Sequence, residues 1–302
     1  MKCLDLNREM MPGGAIYHIA DEGDGSILLG LGLWDRVNEP HTLQVKNRTM
    51  GQVVRVSEED EILVRSTELS SIVYQVIPVC DERIFVGCRD GTSYFLNPDL
   101  SMQRPLDLCS KGFYSTIIDD DMLVATMRQG SVLFFNLESE ESKIVQVVDP
   151  NIRVWPIAKD GTRYIVGSYR GDLAIIEDMK VMKSIKADER APIWTIDHFD
   201  NRYFVGTGKG EMIAFEKDLE SRTLMYNNES PLTSSAILNP QQIALGNLHG
   251  DIHVLSIGSA AAHFPNPKKE KANTIWSMAP DVEKGILRVA YSNGQMRIYT
   301  LT

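Results

Sequence analysis

Six short segments of the chain repeat one pattern at intervals of about forty residues, a period that belongs to solenoids, arrays and propellers. They read VGCRDGTSYFLN (86–97), ATMRQGSVLFFN (125–136), VGSYRGDLAIIE (166–177), VGTGKGEMIAFE (205–216), LGNLHGDIHVLS (245–256) and VAYSNGQMRIYT (289–300). Each carries a small residue, a glycine four positions later, then a polar residue and an apolar-rich run. The glycines Gly91, Gly130, Gly171, Gly210, Gly250 and Gly294 are spaced by 39, 41, 39, 40 and 44 residues. A glycine at that place in a hairpin supplies the positive φ that other residues resist.

An aromatic residue in an apolar run precedes each copy by 12 to 14 residues: Tyr74, Tyr114, Trp155, Trp194 and Trp276, with Ser234 standing there before Gly246. Tyr17, 13 residues before Gly30, adds a seventh, degenerate copy whose turn glycine is lost. Runs such as YIVGS and LAIIE are short and rich in β-branched or aromatic residues. Acidic or glycine-containing turns separate them: DDD (119–121), KDG (159–161), HFDN (198–201). No long stretch carries a helical period. Four short strands per forty residues is the arithmetic of a propeller blade. The sequence therefore predicts an all-β fold, a single domain over 1–302 built as a seven-bladed β-propeller of four-stranded antiparallel blades.

The last copy has only three strands. The missing one is available in Lys2-Cys3-Leu4-Asp5-Leu6-Asn7, so residues 1–10 are expected to pair as the closing strand of the last blade and remove two open sheet edges. Two places break the period. Gly30 and Gly87 are 57 residues apart, and the surplus is assigned to an insertion over 47–70, a hairpin protruding from the first blade and a plausible docking arm. AAAHFPNPKKEKAN (260–273) reads as a long inter-blade loop carrying Lys268, Lys269 and Lys271.

VGCRDGTSYFLN is similar to the strand-turn-strand signature of WD-repeat propellers, and VWPIAKDGTRYIVGS and IWTIDHFDNRYFVGT resemble that family's innermost strand and the one after it. The likeness covers nearly the whole chain. The hallmark dipeptides are missing: Trp34-Asp35 is out of register, and no Gly-His pair opens a blade. The resemblance implies a partner-binding propeller of the kind found as a subunit of multiprotein assemblies, with a channel mouth that takes up a peptide side chain.

With 31 Lys+Arg against 41 Asp+Glu the net charge is -10, which argues against a protein made for direct nucleic-acid binding. No apolar run is long enough for a membrane span. Cys3, Cys80, Cys88 and Cys109 are scattered, as suits reduced thiols in the cytoplasm or nucleus. GxSxG, HExxH and Walker motifs are absent, and Gly30-Leu31-Gly32 sits inside a strand run rather than before a helix. His249 and His253 are four apart, a metal spacing on a helix but not on a strand. Asp119-Asp120-Asp121 reads as an acidic turn. No catalytic residue, metal or cofactor is expected, and the propeller is expected to be monomeric.

Chain direction alternates within a blade. The second-to-third strand turns and the inter-blade connections therefore share one face, here called the top. The repeated aromatics lie near the start of each innermost strand. Tyr17, Tyr74, Tyr114, Trp155, Trp194 and Trp276 are thus expected to form a broken ring at the top mouth of the channel, gapped at Ser234. Two readings stand: a recognition mouth, or rings packed between blades. Arg89, Arg128, Arg170, Lys209 and His249 sit just ahead of the turn glycines and suggest a basic rim for an acidic or phosphorylated segment, or else a solvated edge. About half of the acidic residues fall in the bottom turns, so the molecule is expected to be electrically polar along its axis. Three functions follow. The first is a non-catalytic protein-interaction scaffold or adaptor subunit, binding partner peptides on the top face and channel mouth. The second is a reader of a peptide tail, of the chromatin-associated type. The third is a propeller hydrolase of small molecules, for which no carboxylate–histidine pair is visible.

Overall fold

The computed structural model describes residues 4–33, 50–79, 82–106, 108, 112–257, 262–265 and 273–301. Among them there are strands and turns but no helix. The strands form seven sheets of four, each antiparallel throughout and each made of consecutive strands except the last. The innermost strands pack side by side around the ring, and the first, Gly14–Asp21, also packs against that of blade 7, Ile275–Asp281. Seven blades enclose seven apolar clusters, one at each interface between neighbours. Between blades 2 and 3, for example, Phe85, Phe95 and Phe113 are buried and meet edge to face at centroid distances of 6.4 and 5.9 Å. Burying such a ring contributes roughly 1.5–3 kcal/mol, so the core is distributed over interfaces rather than pooled in one place.

The repeat pattern has two physical causes. The second glycine turns the hairpin: all six have φ between 68° and 100°, where a Cβ is disfavoured. The first small residue lets the next blade approach. A Cβ on Gly167 would come within 2.6 Å of Ile193 Cγ2, and Ile193 precedes Trp194 on the next inner strand. The small residue of one blade thus seats the aromatic of the next. The acidic turns have a reason too, since Asp120 and Asp200 occupy left-handed backbone (φ 50° and 48°), which Asp tolerates better than most residues.

The closing strand forms as expected. Leu4–Met10 pairs antiparallel with Met296–Leu301, from Leu4 opposite Leu301 to Met10 opposite Met296. The insertion over 47–70 is corrected. Gly51–Val56 and Ile62–Arg65 are the regular third and fourth strands of blade 1, and the acidic Ser57–Glu61 stretch is the turn between them. The surplus length therefore falls in 34–49, outside the described residues. The loop over 260–273 needs a similar correction: Ala262–Phe264 is the fourth strand of blade 6. Lys268, Lys269 and Lys271 lie outside the described residues.

At two interfaces a carboxylate of one blade is stapled to the next. Tyr164 and Lys159 of blade 4 both donate to Asp119 of blade 3. One blade further on, Tyr203 donates to Asp160 at 2.7 Å and Lys217 pairs with the same carboxylate at 2.9 Å. Burial alone would raise the Asp160 carboxyl, but the bonds from Lys217 and Tyr203 outweigh it and hold the group below its ordinary range.

Candidate recognition mouth

Every inner strand carries a β-bulge near its start. The pairing register slips across Tyr17, Tyr74, Tyr114–Ser115, Trp155–Pro156, Trp194, Thr233 and Trp276 in blades 1 to 7. A bulged residue is released from the alternation of the strand and can be re-aimed. Here the bulges turn the six aromatics into the channel, where they line one cavity of about 170 Å³. The ring chain runs Trp276–Tyr17 (5.9 Å), Tyr17–Tyr74 (5.2 Å), Tyr74–Tyr114 (6.1 Å), Tyr114–Trp155 (4.3 Å) and Trp155–Trp194 (5.0 Å between centroids). The gap lies on blade 6. The residue in the bulge there is Thr233 rather than Ser234, because Leu232 pairs with Asn247 and Ser234 with Gly246. Thr233 Oγ1 donates to the Ile275 carbonyl at 2.6 Å, which ties blade 6 to the strand that carries Trp276. The aromatics are therefore brought together at the mouth, where they also pack against one another.

The basic residues divide. In blades 2 to 7 the residue after the second strand donates its backbone N–H to the connection before the first strand. Arg89 bonds Ile72, Arg128 bonds Gly112 and Tyr169 bonds Arg153 in this way. Arg89 and Arg128 thus share the inner rim position with Tyr169, whose ring meets Trp194 edge-on at 5.6 Å. The Arg153 guanidinium lies 5.7 Å above the Tyr169 ring. Burial raises the Tyr74 hydroxyl to about 12, with Arg89 and Arg153 acting against the rise. Tyr114 is raised for the same reason and feels Arg153, Arg128 and Arg89. Arg170, Lys209 and His249 stand one position further out, all three exposed. Lys209 is turned to Asp188 at 2.7 Å and is largely neutralised there. Arg153 and Tyr169 escape a reading of the repeat because each lies two residues before a recurring position, Trp155 and Gly171 respectively.

Beneath the mouth the channel wall is polar. Ser235 donates to Asp197 and shares a hydrogen bond with Thr195. Burial raises the Asp197 carboxyl to about 6 and lowers the His18 imidazole to about 4. The two have opposite consequences. Between pH 6.5 and 4 the unfolded chain protonates His18 and the folded one does not, so this group lowers stability as pH falls. Between about pH 6 and 4 the folded chain keeps the Asp197 proton and the unfolded one does not, so this group raises stability as pH falls. Each proton is worth up to about 1.4 kcal/mol per pH unit. Urea melts at pH 6.5 and 4.5 should therefore show His18→Gln losing less stability in acid than wild type and Asp197→Asn losing more. Equal acid sensitivity in all three would refute the assignment.

Part of the acidity of the bottom face is paired. Glu22, Glu140, Glu177 and Glu216 on the bottom face are paired with Arg55, Arg104, Arg163 and Arg202, which arise from strands rather than turns.

These features define a seven-bladed β-propeller with an aromatic, arginine-rimmed mouth. Among solved structures it is similar to the β-propeller domain of Cps50 (Swd1) from Myceliophteria thermophila, with a TM-score of 0.77 and 12% identity over 99% of this chain and 100% of that one. It is also similar to the computationally designed Ika8 protein, with a TM-score of 0.67 and 13% identity over 96% and 98% of the two chains. At these identities the likeness is one of fold. No family model matches the chain, and no curated protein matches it.

Proposed function

We propose that this propeller is a non-catalytic scaffold or adaptor subunit that docks an acidic protein segment on its top face and admits one side chain to the aromatic mouth. The observation that carries this reading is the joint placement of Arg89, Arg128 and Arg153 around Tyr74 and Tyr114. Rigid aromatics give contact area at low entropic cost, and arginine forks recognise carboxylates. The cavity, about 170 Å³, is smaller than the roughly 300–1,000 Å³ of ordinary small-molecule pockets, which favours a side chain over a substrate. A basic tail of the chromatin type meets like charge at this rim, so the acidic partner is preferred. The buried Cys88, its thiol pushed up to about 12 by burial, suits a chain that keeps its thiols reduced in cytoplasm or nucleus. Quantitative capture from the native source tests the reading. Arg89→Glu/Arg128→Glu bait should lose the acidic-segment partner that wild type retains, while a bottom-face reversal at the exposed Lys143 and Lys180 keeps it. Retention by the top-face variant would overturn the proposal.

A further inference from the structure

We propose that the outer part of blade 6, where it faces blade 5, is a binding site for a first-row divalent metal ion of the zinc class, held by Asp251, His253 and His263. His253 and His263 are direct cross-strand partners, with ring centroids 4.5 Å apart and planes 9° from parallel. Asp251 precedes His253 by two residues, the strand period, so both side chains leave the same face. One ligating atom from each of the three lies within 4.8 Å of the others. Tetrahedral zinc with bonds of about 2.0–2.1 Å needs donors roughly 3.3–3.5 Å apart. The stacked rings keep their in-plane lone pairs parallel, so closing the site takes a rotation of the His263 ring as well as an inward shift, and His263 is exposed and able to make both.

The surroundings already orient the buried ligand. Asn228 Oδ1 accepts the Ser230 N–H at 3.1 Å, which turns its amide nitrogen toward His253 Nε2, also at 3.1 Å. An amide NH₂ only donates, so Nε2 is the lone-pair nitrogen and Nδ1 carries the hydrogen; an ion would take that lone pair in place of the Asn228 amide. Nδ1 then donates to Tyr226 Oη of blade 5 at 2.7 Å. Metal-binding histidines are held by such a second hydrogen bond on the far nitrogen. The Asp251 carboxylate accepts from Asn247 Nδ2 at 3.3 Å. Two neutral imidazoles and one carboxylate suit zinc, cobalt(II) or nickel(II). Calcium and magnesium ask for an oxygen shell. Three protein ligands leave a fourth position for water.

The site also has a mechanical consequence. The fourth strand of blade 6, Ala262–Phe264, is only three residues long, and His263 is its middle residue. A metal bridging His253 and His263 would pin that strand to its neighbour and, through Tyr226, to blade 5.

The test titrates Co²⁺, and separately Zn²⁺, into the metal-free full chain, following visible d–d absorption, calorimetry and melting temperature. One equivalent should bind, with tetrahedral cobalt absorption and a zinc-dependent rise in melting temperature. His263→Ala, at an exposed position, should fold as wild type and bind more than about tenfold more weakly, since even outer-shell losses cost 10–100-fold. Asp251→Asn keeps the side-chain shape and should weaken binding as well. The proposal falls if there is no saturable binding, if both variants bind like wild type, or if a thiolate-to-cobalt band shows that cysteines are the ligands.

Discussion

Deleting residues 1–10 should lower the melting temperature by about 10 °C or more. The strand Leu4–Met10 supplies the fourth strand of blade 7 and, with it, the contact that closes the ring. It also brings Glu9 to Arg297, whose side chain is 0% exposed. The two pair at 3.2 Å, and Gln295 adds a bond to the same carboxylate at 2.9 Å. The guanidinium lies 4.7 Å above the Tyr291 ring. Without the strand this charge stays buried and loses its carboxylate, a defect worth about 3–5 kcal/mol. The loss of buried Leu4 and the exposure of a strand edge add to it. At about 2–4 °C per kcal/mol the shift is about 10 °C or more. Glu9→Gln should reproduce part of the loss with the strand in place. A truncated chain that melts within a degree or two of the full one would refute the latch.

Reversing charge at Arg89 and Arg128 together should slow association of an acidic segment by at least about tenfold at low salt. Both occupy the inner rim position, and both are exposed. Electrostatic steering changes association rates by about 10- to 1,000-fold and fades as salt shortens the screening length from about 10 Å at 0.1 M to 3 Å at 1 M. The difference between wild type and variant should therefore shrink as salt is added. Arg170→Glu, one position further out, should have a smaller effect. Stopped-flow measurement at two ionic strengths separates these outcomes, and equal effects from Arg128 and Arg170 would remove the distinction between rim positions.

Much of this architecture is legible in the residues because the repeat encodes backbone geometry directly. Gly91 through Gly294 are glycines for their positive φ. Gly167 is small because Ile193 packs against it. The aromatic ring is legible because the repeat keeps each aromatic at the bulge. The register at blade 6 is not, since neither Thr233 nor Ser234 is aromatic and only the pairing shows which one is bulged. The length anomaly before Gly87 is visible, but its position is not, because Gly51–Val56 and Ile62–Arg65 look as much like an inserted hairpin as like two blade strands. A count of turn residues also leaves out strand-borne arginines such as Arg55, which reach the turn carboxylates. His253 and His263 are ten residues apart, and nothing short of strand pairing brings them together.

Binding of an acidic segment at the mouth has a built-in reporter. Three of the four tryptophans of the chain, Trp155, Trp194 and Trp276, line the mouth. Tryptophan fluorescence can be followed while a peptide of mixed Asp, Glu and aromatic residues is titrated into the protein, beside a counterpart with Lys in place of the acids. The acidic peptide should give a saturable change that disappears in Arg89→Glu/Arg128→Glu, and the lysine peptide should give none. A saturable change with the lysine peptide, or an acidic response that survives the double reversal, would rule out acidic-segment binding at the mouth.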